Sequence, residues 1–325
     1  MKIRILTAED VRLALPMREA IAGMKQAYAQ LSTGKADVPL RGRVSIAPQE
    51  ATTLVMPAYL QESEALAVKI VSVFPHNPQK QEPVIYGAVL VLDAKSGRPL
   101  SLLNGGTLTA IRTGAGAGAA TDVLARPDAK IVAIIGSGVQ ARTQLEAVCA
   151  VREIEEVRVF SPTREHAEAF AVEMRELGSI RVVDSAKTAV RGADIICAAT
   201  TSSTPVFNGE DVAPGTHING VGSYMATMQE VDVETLHKAV VVVDNIDAAL
   251  DEAGDLIVPI QQGQFSQAHI AAELGEIIAG HKPGRIDANQ ITFFKSVGNA
   301  AQDAIAAQIV LRNAERLGLG TEAEF

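Results

Sequence analysis

The chain of 325 residues is poor in cysteine, has no basic excess and lacks any long hydrophobic run. Its two cysteines, Cys149 and Cys197, stand in unrelated apolar segments without Cys-x-x-Cys or Cys/His spacing. That pattern excludes a metal motif, suits a reducing compartment and makes both thiols buried hydrophobes. Lys and Arg number 29 against 38 Asp and Glu, a formal charge of -9, and the cations do not cluster. Binding a phosphate backbone needs a basic face, so nucleic acid is excluded as a partner and small molecules are favoured. No apolar stretch approaches the roughly 18 residues of a membrane span, and MKIRILTAED has neither the apolar stretch nor the cleavage site of a signal peptide. A cytoplasmic protein with no membrane partner is expected. Repeats, low-complexity tracts, a nucleophile elbow and a catalytic triad signature are also missing.

What is present is a globular composition, 47 % apolar and 21 % charged, which argues against a disordered or fibrous chain. The length suits two lobes. Thr7 to Lys35 reads as a helix, with Pro16 at a first-turn position, Ala20, Ile21, Met24, Ala27, Tyr28 and Leu31 at helical spacing, and Gly34 as its end. From Gly42 to Leu103 short β-branched runs follow, among them LAVKIVSVF (66–74) and VIYGAVLVLD (84–93), the latter linked onward by the turn AKSGRP. TAIRTGAGAGAATDVL, between Leu108 and Leu124, is a small-residue helix joining the lobes. Strands then alternate with helices: IVAII (131–135), VRVFS (157–161), IRVVD (180–184), IICAATT (195–201), THINGVGS (216–223), VVVVD (240–244) and ITFFKSVG (291–298). A long helix from Asn299 to about Leu317 closes the chain and returns to the first lobe. The fold class expected is α/β: a Rossmann-type doubly wound parallel sheet over 123–298, plus an α+β domain over 1–122 completed by 299–325.

In KIVAIIGSGVQART (130–143) the strand delivers Gly136 and Gly138 to a tight turn. Val139 and Gln140 open the helix, and Ala141 packs it on the strand. The free N–H groups and partial positive charge of the helix start suit a pyrophosphate, so this Gly-x-Gly-x-x-Ala junction is read as a dinucleotide site. An acid about 20 residues on would grip the ribose 2′-hydroxyl of NAD. Here VRVFSPTREHA offers Ser161, Thr163 and Arg164, better suited to a 2′-phosphate, so NADP(H) is favoured over NAD(H). The same residues also serve as a turn, a helix cap and a solvent-facing arginine, and neither role excludes the other.

Three cations of the first lobe stand out: Arg41 in VPLRG, Lys69 inside LAVKIVSVF and Arg112 in TAIRTG. An ammonium in an apolar strand either pairs with an anion, faces a cavity or snorkels from a sheet edge, and a ligand carboxylate would satisfy it. His76 lies on a turn with two prolines, where exposure is the usual state. Tyr224 points its hydroxyl at the site or covers it with its ring. Asp303 reads as a first-turn carboxylate favoured by the helix dipole.

Jointly, VPLRG, TLVMP (53–57), Lys69 in its strand, LTAIRTGAGAG (108–118), IIGSGVQA (134–141), AATTSSTPVF (198–207), INGVGS (218–223) and FKSVGNAAQD (294–303) make the chain resemble the ornithine cyclodeaminase/μ-crystallin family over essentially its whole length. The resemblance implies a homodimer joined through the sheets of the first lobes, with the active site between lobes. It implies that Arg41, Lys69 and Arg112, with Val297 beside them, hold a substrate carboxylate. It further implies that nucleotide lies on Gly136 to Ala141, on Ser161 to Arg164, and at Thr200, Val221, Gly222 and Ser296.

Family members that cyclise ornithine carry a glutamate just before Met-Pro, where this chain has Leu54. They also carry an aspartate after Val-Gly, where it has Tyr224, and a nearby lysine matched by Met228. A diamine's distal ammonium would be left unpaired, at a cost of about 1–3 kcal/mol. The resemblance therefore implies the alanine dehydrogenase and cyclic imino acid reductase branch. Hydride would pass between NAD(P)H and the α-carbon of a small amino or imino acid, with Lys69, Arg112 and Tyr224 as the catalytic candidates and Lys69, Tyr224 or a water near them managing the proton. The alternatives are ornithine cyclodeamination, a non-enzymatic crystallin-like binder and a hydroxy-acid dehydrogenase, the last lacking the His/Asp pair that chemistry needs.

Overall fold

The computed structural model describes residues 1–324, and the chain divides into two compact units, Met1–Arg112 with the segment from Asn299 onward, and Thr113–Gly298. The first unit opens with β1 (Lys2–Leu6), α1 (Ala8–Ala14) and α2 (Met17–Ser32). The single helix expected over 7–35 is thus two. Leu15 precedes a proline and is pushed out of the helical region (φ -125°, ψ 70°), and Pro16 becomes the N-cap of α2. Next come β2 (Ala36–Asp37), β3 (Gly42–Ile46), β4 (Ala51–Leu60), β5 (Ala65–Val73), β6 (Ile85–Asp93), β7 (Pro99–Asn104) and α3 (Gly105–Leu124).

The division between units falls inside α3, after Arg112 rather than at 122. From Thr113 onward α3 belongs with the second unit, and a Cβ at Gly114 would run into the backbone carbonyl of Thr143. The bare Cα is what allows that close approach, which helps explain why so glycine-rich a helix persists.

The second unit holds β8 (Ile131–Ile135), α4 (Val139–Val151), β9 (Glu156–Phe160), α5 (Arg164–Glu173), β10 (Ser179–Val182), α6 (Ala186–Val190), β11 (Ile195–Ala198) and β12 (His217–Gly220). It continues through α7 (Val233–Lys238), β13 (Ala239–Val243), α8 (Ile246–Glu252), α9 (Gly254–Gln261), β14 (Ile270–Glu273), α10 (Leu274–Ile278) and β15 (Ile291–Lys295). All eight strands pair in parallel, in the order β10-β9-β8-β11-β12-β15-β13-β14. Alternate residues of one strand enter opposite cores: Val132 and Ile134 pack with α4 and α5, while Ala133 and Ile135 pack with residues of α6, α7 and α8. This is the doubly wound sheet expected, and its order reverses between β8 and β11, the place where such sheets bind ligands. The strand β14 escaped the sequence reading because IAAE is a four-residue edge strand with no apolar run.

The chain returns to the first unit as α11 (Ala300–Leu317) and β16 (Thr321–Glu324), which completes the sheet β16-β1-β7-β6-β5-β4-β2, with β3 also on β4. α11 lies against α2, β4 and β5. Gly23 lets α2 approach it, since a Cβ there would come within 2.5 Å of the Ile309 side chain. The opposite face of this sheet carries exposed apolar side chains. Val55 and Ile70 are cross-strand neighbours on it, as are Leu102 and Ile5, and all four are exposed.

Candidate active site

β5 is a central strand between β4 and β6, and Lys69 stands opposite Met56 and Val89. Its side chain is on the covered face with Ala65 and Ala67 and is 3 % exposed, which removes the snorkelling alternative. The anion it meets belongs to the protein. Asp303, in the first turn of α11, brings Oδ2 to 2.6 Å from Lys69 Nζ, and its Oδ1 accepts from Arg112 Nε at 2.9 Å. Arg112 Nη1 donates to Gln302 Oε1 at 3.1 Å, while Gln302 Nε2 donates to the buried Tyr28 hydroxyl at 2.7 Å. Asn299 caps α11 in a reciprocal box with Gln302, so the cap of the helix and the arginine share one acceptor.

The charges act on one another. Burial lowers Lys69 to about 8, and Arg112 and Arg41 push the same way, while Asp303 opposes them. Burial raises the Asp303 carboxyl, but Arg112 and Lys69 outweigh it and hold the group below its ordinary value. Asp303 is therefore an ionised hub and not the helix-dipole carboxylate expected of it. It is the residue the sequence reading undervalued; a carboxylate one turn after a cap gives no sign of the strand it will face. Lys69 and Arg112 are brought together, and half-buried Arg41 lies close enough for its charge to bear on Lys69.

In the second unit the junction after β8 has the expected form. Gly136 adopts φ +104°, and a Cβ there would sit 2.6 Å from the Ala199 carbonyl oxygen. Gly138 is the N-cap of α4, where a Cβ would meet nothing within 4 Å, Val139 is exposed and Ala141 is buried. Gln140 is half-buried. An open helix start with bare backbone on both sides fits a pyrophosphate. Arg142 Nη1 donates to the carbonyls of Ser137 and Gly138 and so braces the turn.

At the end of β9, Ser161 is half-buried, and Thr163 is the N-cap of α5 without a side-chain capping bond. Arg164 is already engaged by two carboxylates, Nε with Glu168 at 2.8 Å and Nη1 with Asp184 at 2.7 Å.

The loops beyond β11, β12 and β15 are tied by buried carboxylates that the sequence reading missed. Glu230 accepts from the backbone of Thr200 and Ser223, and Asp244 accepts through one oxygen from Ser296 Oγ and from the N–H groups of Val297 and Gly298. Val221 and Ser296 are buried, and Val297 packs its side chain on the sheet core. Gly222 lies so close to Thr200 that a Cβ would strike its backbone. Tyr224 is 40 % exposed on the loop that follows. His76 pairs with Glu50 at 2.8 Å on the surface. Burial raises the Cys149 and Cys197 thiols to about 11 and about 12, so both stay protonated. Among the described residues no group of three or more His, Cys, Asp or Glu could hold a metal ion, and no helix is long and apolar enough to cross a membrane.

A doubly wound sheet with a glycine-rich turn at its switch point defines an α/β protein of the nucleotide-binding type, and the same chain buries a lysine and an arginine around one aspartate. Comparison with known proteins makes this specific: residues 1–317 match the model of the ornithine cyclodeaminase/mu-crystallin family, and the chain belongs to that family. It is 44 % identical over 324 residues to a Delta(1)-pyrroline-2-carboxylate reductase of Bacillus cereus, covering 99 % of each chain. A Thermococcus litoralis Delta(1)-pyrroline-2-carboxylate reductase solved with NADH and L-proline superposes with a TM-score of 0.94 at 44 % identity, covering 98 % of this chain and 99 % of that one. An archaeal alanine dehydrogenase dimer with bound NAD gives 0.94 at 33 % identity over the whole of both chains.

Proposed function

We propose that the chain is an NAD(P)-dependent imine reductase acting on a small cyclic imino acid, Δ1-pyrroline-2-carboxylate first, and yielding the corresponding amino acid. The observation that carries this is the buried charge cluster of the first unit. Lys69 and Arg112 both converge on the carboxylate of Asp303, and the charge of Arg41 bears on Lys69. The surplus attracts a carboxylate, and the side chains are held in place before it arrives. Asp303 engages Arg112 through Nε and Gln302 through Nη1, so Nη2 is the edge of the guanidinium that neither occupies. Lys69, lowered to about 8 by burial, is charged at neutral pH yet able to pass a proton, which suits it to bind the carboxylate and keep the imine nitrogen protonated. Tyr224 is the second candidate for that proton.

The turn at Gly136 and Gly138, with the open N-terminus of α4, would hold the nucleotide, whose reduced nicotinamide supplies the hydride. Placement and charge are what the protein adds. NADP(H) is favoured over NAD(H), since Ser161, Thr163 and Arg164 stand where an NAD-specific acid would. The margin is narrowed because Glu168 and Asp184 compete with a phosphate for Arg164. The chain works as a homodimer: the exposed apolar face around Val55 and Ile70 is of the kind that a second sheet covers, and the archaeal relative is a dimer.

The test is the absorbance of NADPH and of NADH mixed with enzyme and Δ1-pyrroline-2-carboxylate, its six-membered analogue, or pyruvate with ammonia, and ornithine-to-proline conversion run in parallel. Loss of the reduced-nicotinamide band with a cyclic imino acid is expected. Turnover of pyruvate and ammonia alone would make the enzyme an alanine dehydrogenase. Proline formed from ornithine with a silent band would overturn the reading, and with it the weight placed on Leu54 and Tyr224.

A further inference from the structure

Unused by the chemistry just described is a fully buried ion cluster in the second unit. Glu230, Asp255 and Lys295 are each 0 % exposed. Lys295, the last residue of β15, donates from Nζ to Asp255 Oδ2 at 2.8 Å. Asp255 Oδ1 in turn accepts from the backbone N–H groups of Glu230 (2.6 Å) and Val231 (3.1 Å), which fixes the backbone that presents the glutamate. The glutamate's two oxygens then face two different loops. Oε1 accepts from Thr200 N at 2.6 Å, just past β11, and Oε2 accepts from Ser223 N at 3.0 Å, just past β12. Burying two carboxyl groups and an ammonium is expensive and is a poor way to gain stability, so the arrangement calls for another explanation.

We propose that Glu230 is the positioning residue of the nucleotide site, spacing the loops that follow β11 and β12 by bridging their two backbone N–H groups. The bridge needs a carboxylate. An amide of the same shape has one acceptor end and one donor end, so one loop N–H would face another N–H. Geometry around Gly222 shows how tight the spacing is: a Cβ there would strike the Thr200 backbone and come within 2.5 Å of Glu230 Oε1. The Thr200 loop is also the neighbour of the glycine turn, because Gly136 closes on the Ala199 carbonyl oxygen. A shift of Thr200 is thereby passed to the turn itself. Lys295 opposes the upward push that burial and Asp255 exert on the glutamate's carboxyl, and Asp255 holds the backbone that carries it.

This inference rests on the reading of the second unit as the nucleotide domain. Its test is NADH binding by fluorescence titration, together with separate KM values for NADH and for Δ1-pyrroline-2-carboxylate, on the full chain and on Glu230→Gln and Gly222→Ala. Both variants are compared below their melting temperatures. Each is expected to weaken NADH binding by about tenfold or more, the scale of one unsatisfied buried donor, with the imino acid KM within about twofold. A merely structural role would lower the active fraction and leave the NADH constants alone. If Glu230→Gln does not fold, Gly222→Ala spreads the same two loops and carries the test. Normal NADH binding by the folded variants, or equal rises in both KM values, overturns the inference alone. Failure of the unsubstituted chain to bind NADH overturns the functional reading together with it.

Discussion

Raising the pH through 8 perturbs one group in the cation cluster. Lys69 is lowered to about 8 by burial, reinforced by Arg112 and Arg41 and opposed by Asp303. For a cation whose pKa is depressed, the charged form persists below that value and is lost above it. With a midpoint of about 8 and simple titration, Lys69 is thus charged in ~0.9 of molecules at pH 7 and in ~0.1 at pH 9. If only the charged form binds a carboxylate, the apparent Kd scales inversely with that fraction and rises about tenfold between pH 7 and pH 9. The assay is titration of a five-membered aromatic carboxylate that cannot be reduced and does not itself titrate in this range, by calorimetry in the presence of NADH. Lys69→Arg should flatten the curve, since a guanidinium keeps its charge. Asp303→Asn should move the midpoint below that of the unsubstituted chain, because the one group opposing the burial effect is gone. Binding that stays flat to pH 9.5 in the unsubstituted protein would refute the assignment of Lys69 to the carboxylate.

Lys69→Ala should lower the efficiency with every carboxylate substrate by more than about tenfold, as expected for loss of a charged hydrogen bond; an unchanged kcat/KM removes it from the site. Gly136→Ala forces φ +104° on a side chain 2.6 Å from the Ala199 oxygen; a stability loss of about 2 kcal/mol or more and lost NADH binding are expected in urea unfolding and fluorescence titration. Asp184→Asn frees Arg164 from one of its two carboxylates, so the ratio of NADPH to NADH efficiency should rise; a fall would place Arg164 outside the 2′ subsite. His217 is buried between Thr292 and Asn219, and burial lowers it to about 3. Its unfolded form takes up a proton below about 6.5 while the folded form does not, so stability drops as pH falls from 6.5 towards 3, by up to ~1.4 kcal/mol per pH unit from this group. His217→Asn should lose that part of the acid slope in urea midpoints measured against pH.

Local pattern carried much of the fold. The apolar runs and the glycine junction mark much of the second unit, because central strands such as β8, β11 and β13 are largely buried and read as continuous apolar runs. Strand order is another matter: β15 lies between β12 and β13, and nothing in ITFFK distinguishes a central strand from an edge one. The helix expected over 7–35 failed at Leu15, where a proline overrode an otherwise helical pattern. The four-residue strand β14 is held by its neighbour β13 rather than by its own composition.

In the candidate site, cations were legible and their partners were not. An ammonium inside a central strand is conspicuous because the strand offers it no water. A carboxylate in a first helical turn is commonplace, so Asp303 passed as an ordinary helix residue until α11 was seen lying on β5. Arg164 shows the same limit from the other side: residue type suggests a phosphate receptor and gives no sign that Glu168 and Asp184 already engage two of its edges. In each case the deciding quantity is the sum of charges around a group, and that sum includes residues far away in the chain. Asp303 meets both Lys69 and Arg112 and opposes the downward push of burial on Lys69, and Glu230 accepts from two backbone donors, one through each oxygen. A buried carboxylate faces the other polar groups in both units, so the isosteric, charge-removing substitutions Asp303→Asn and Glu230→Gln are expected to separate substrate placement from nucleotide placement more sharply than truncating any residue assigned to either ligand.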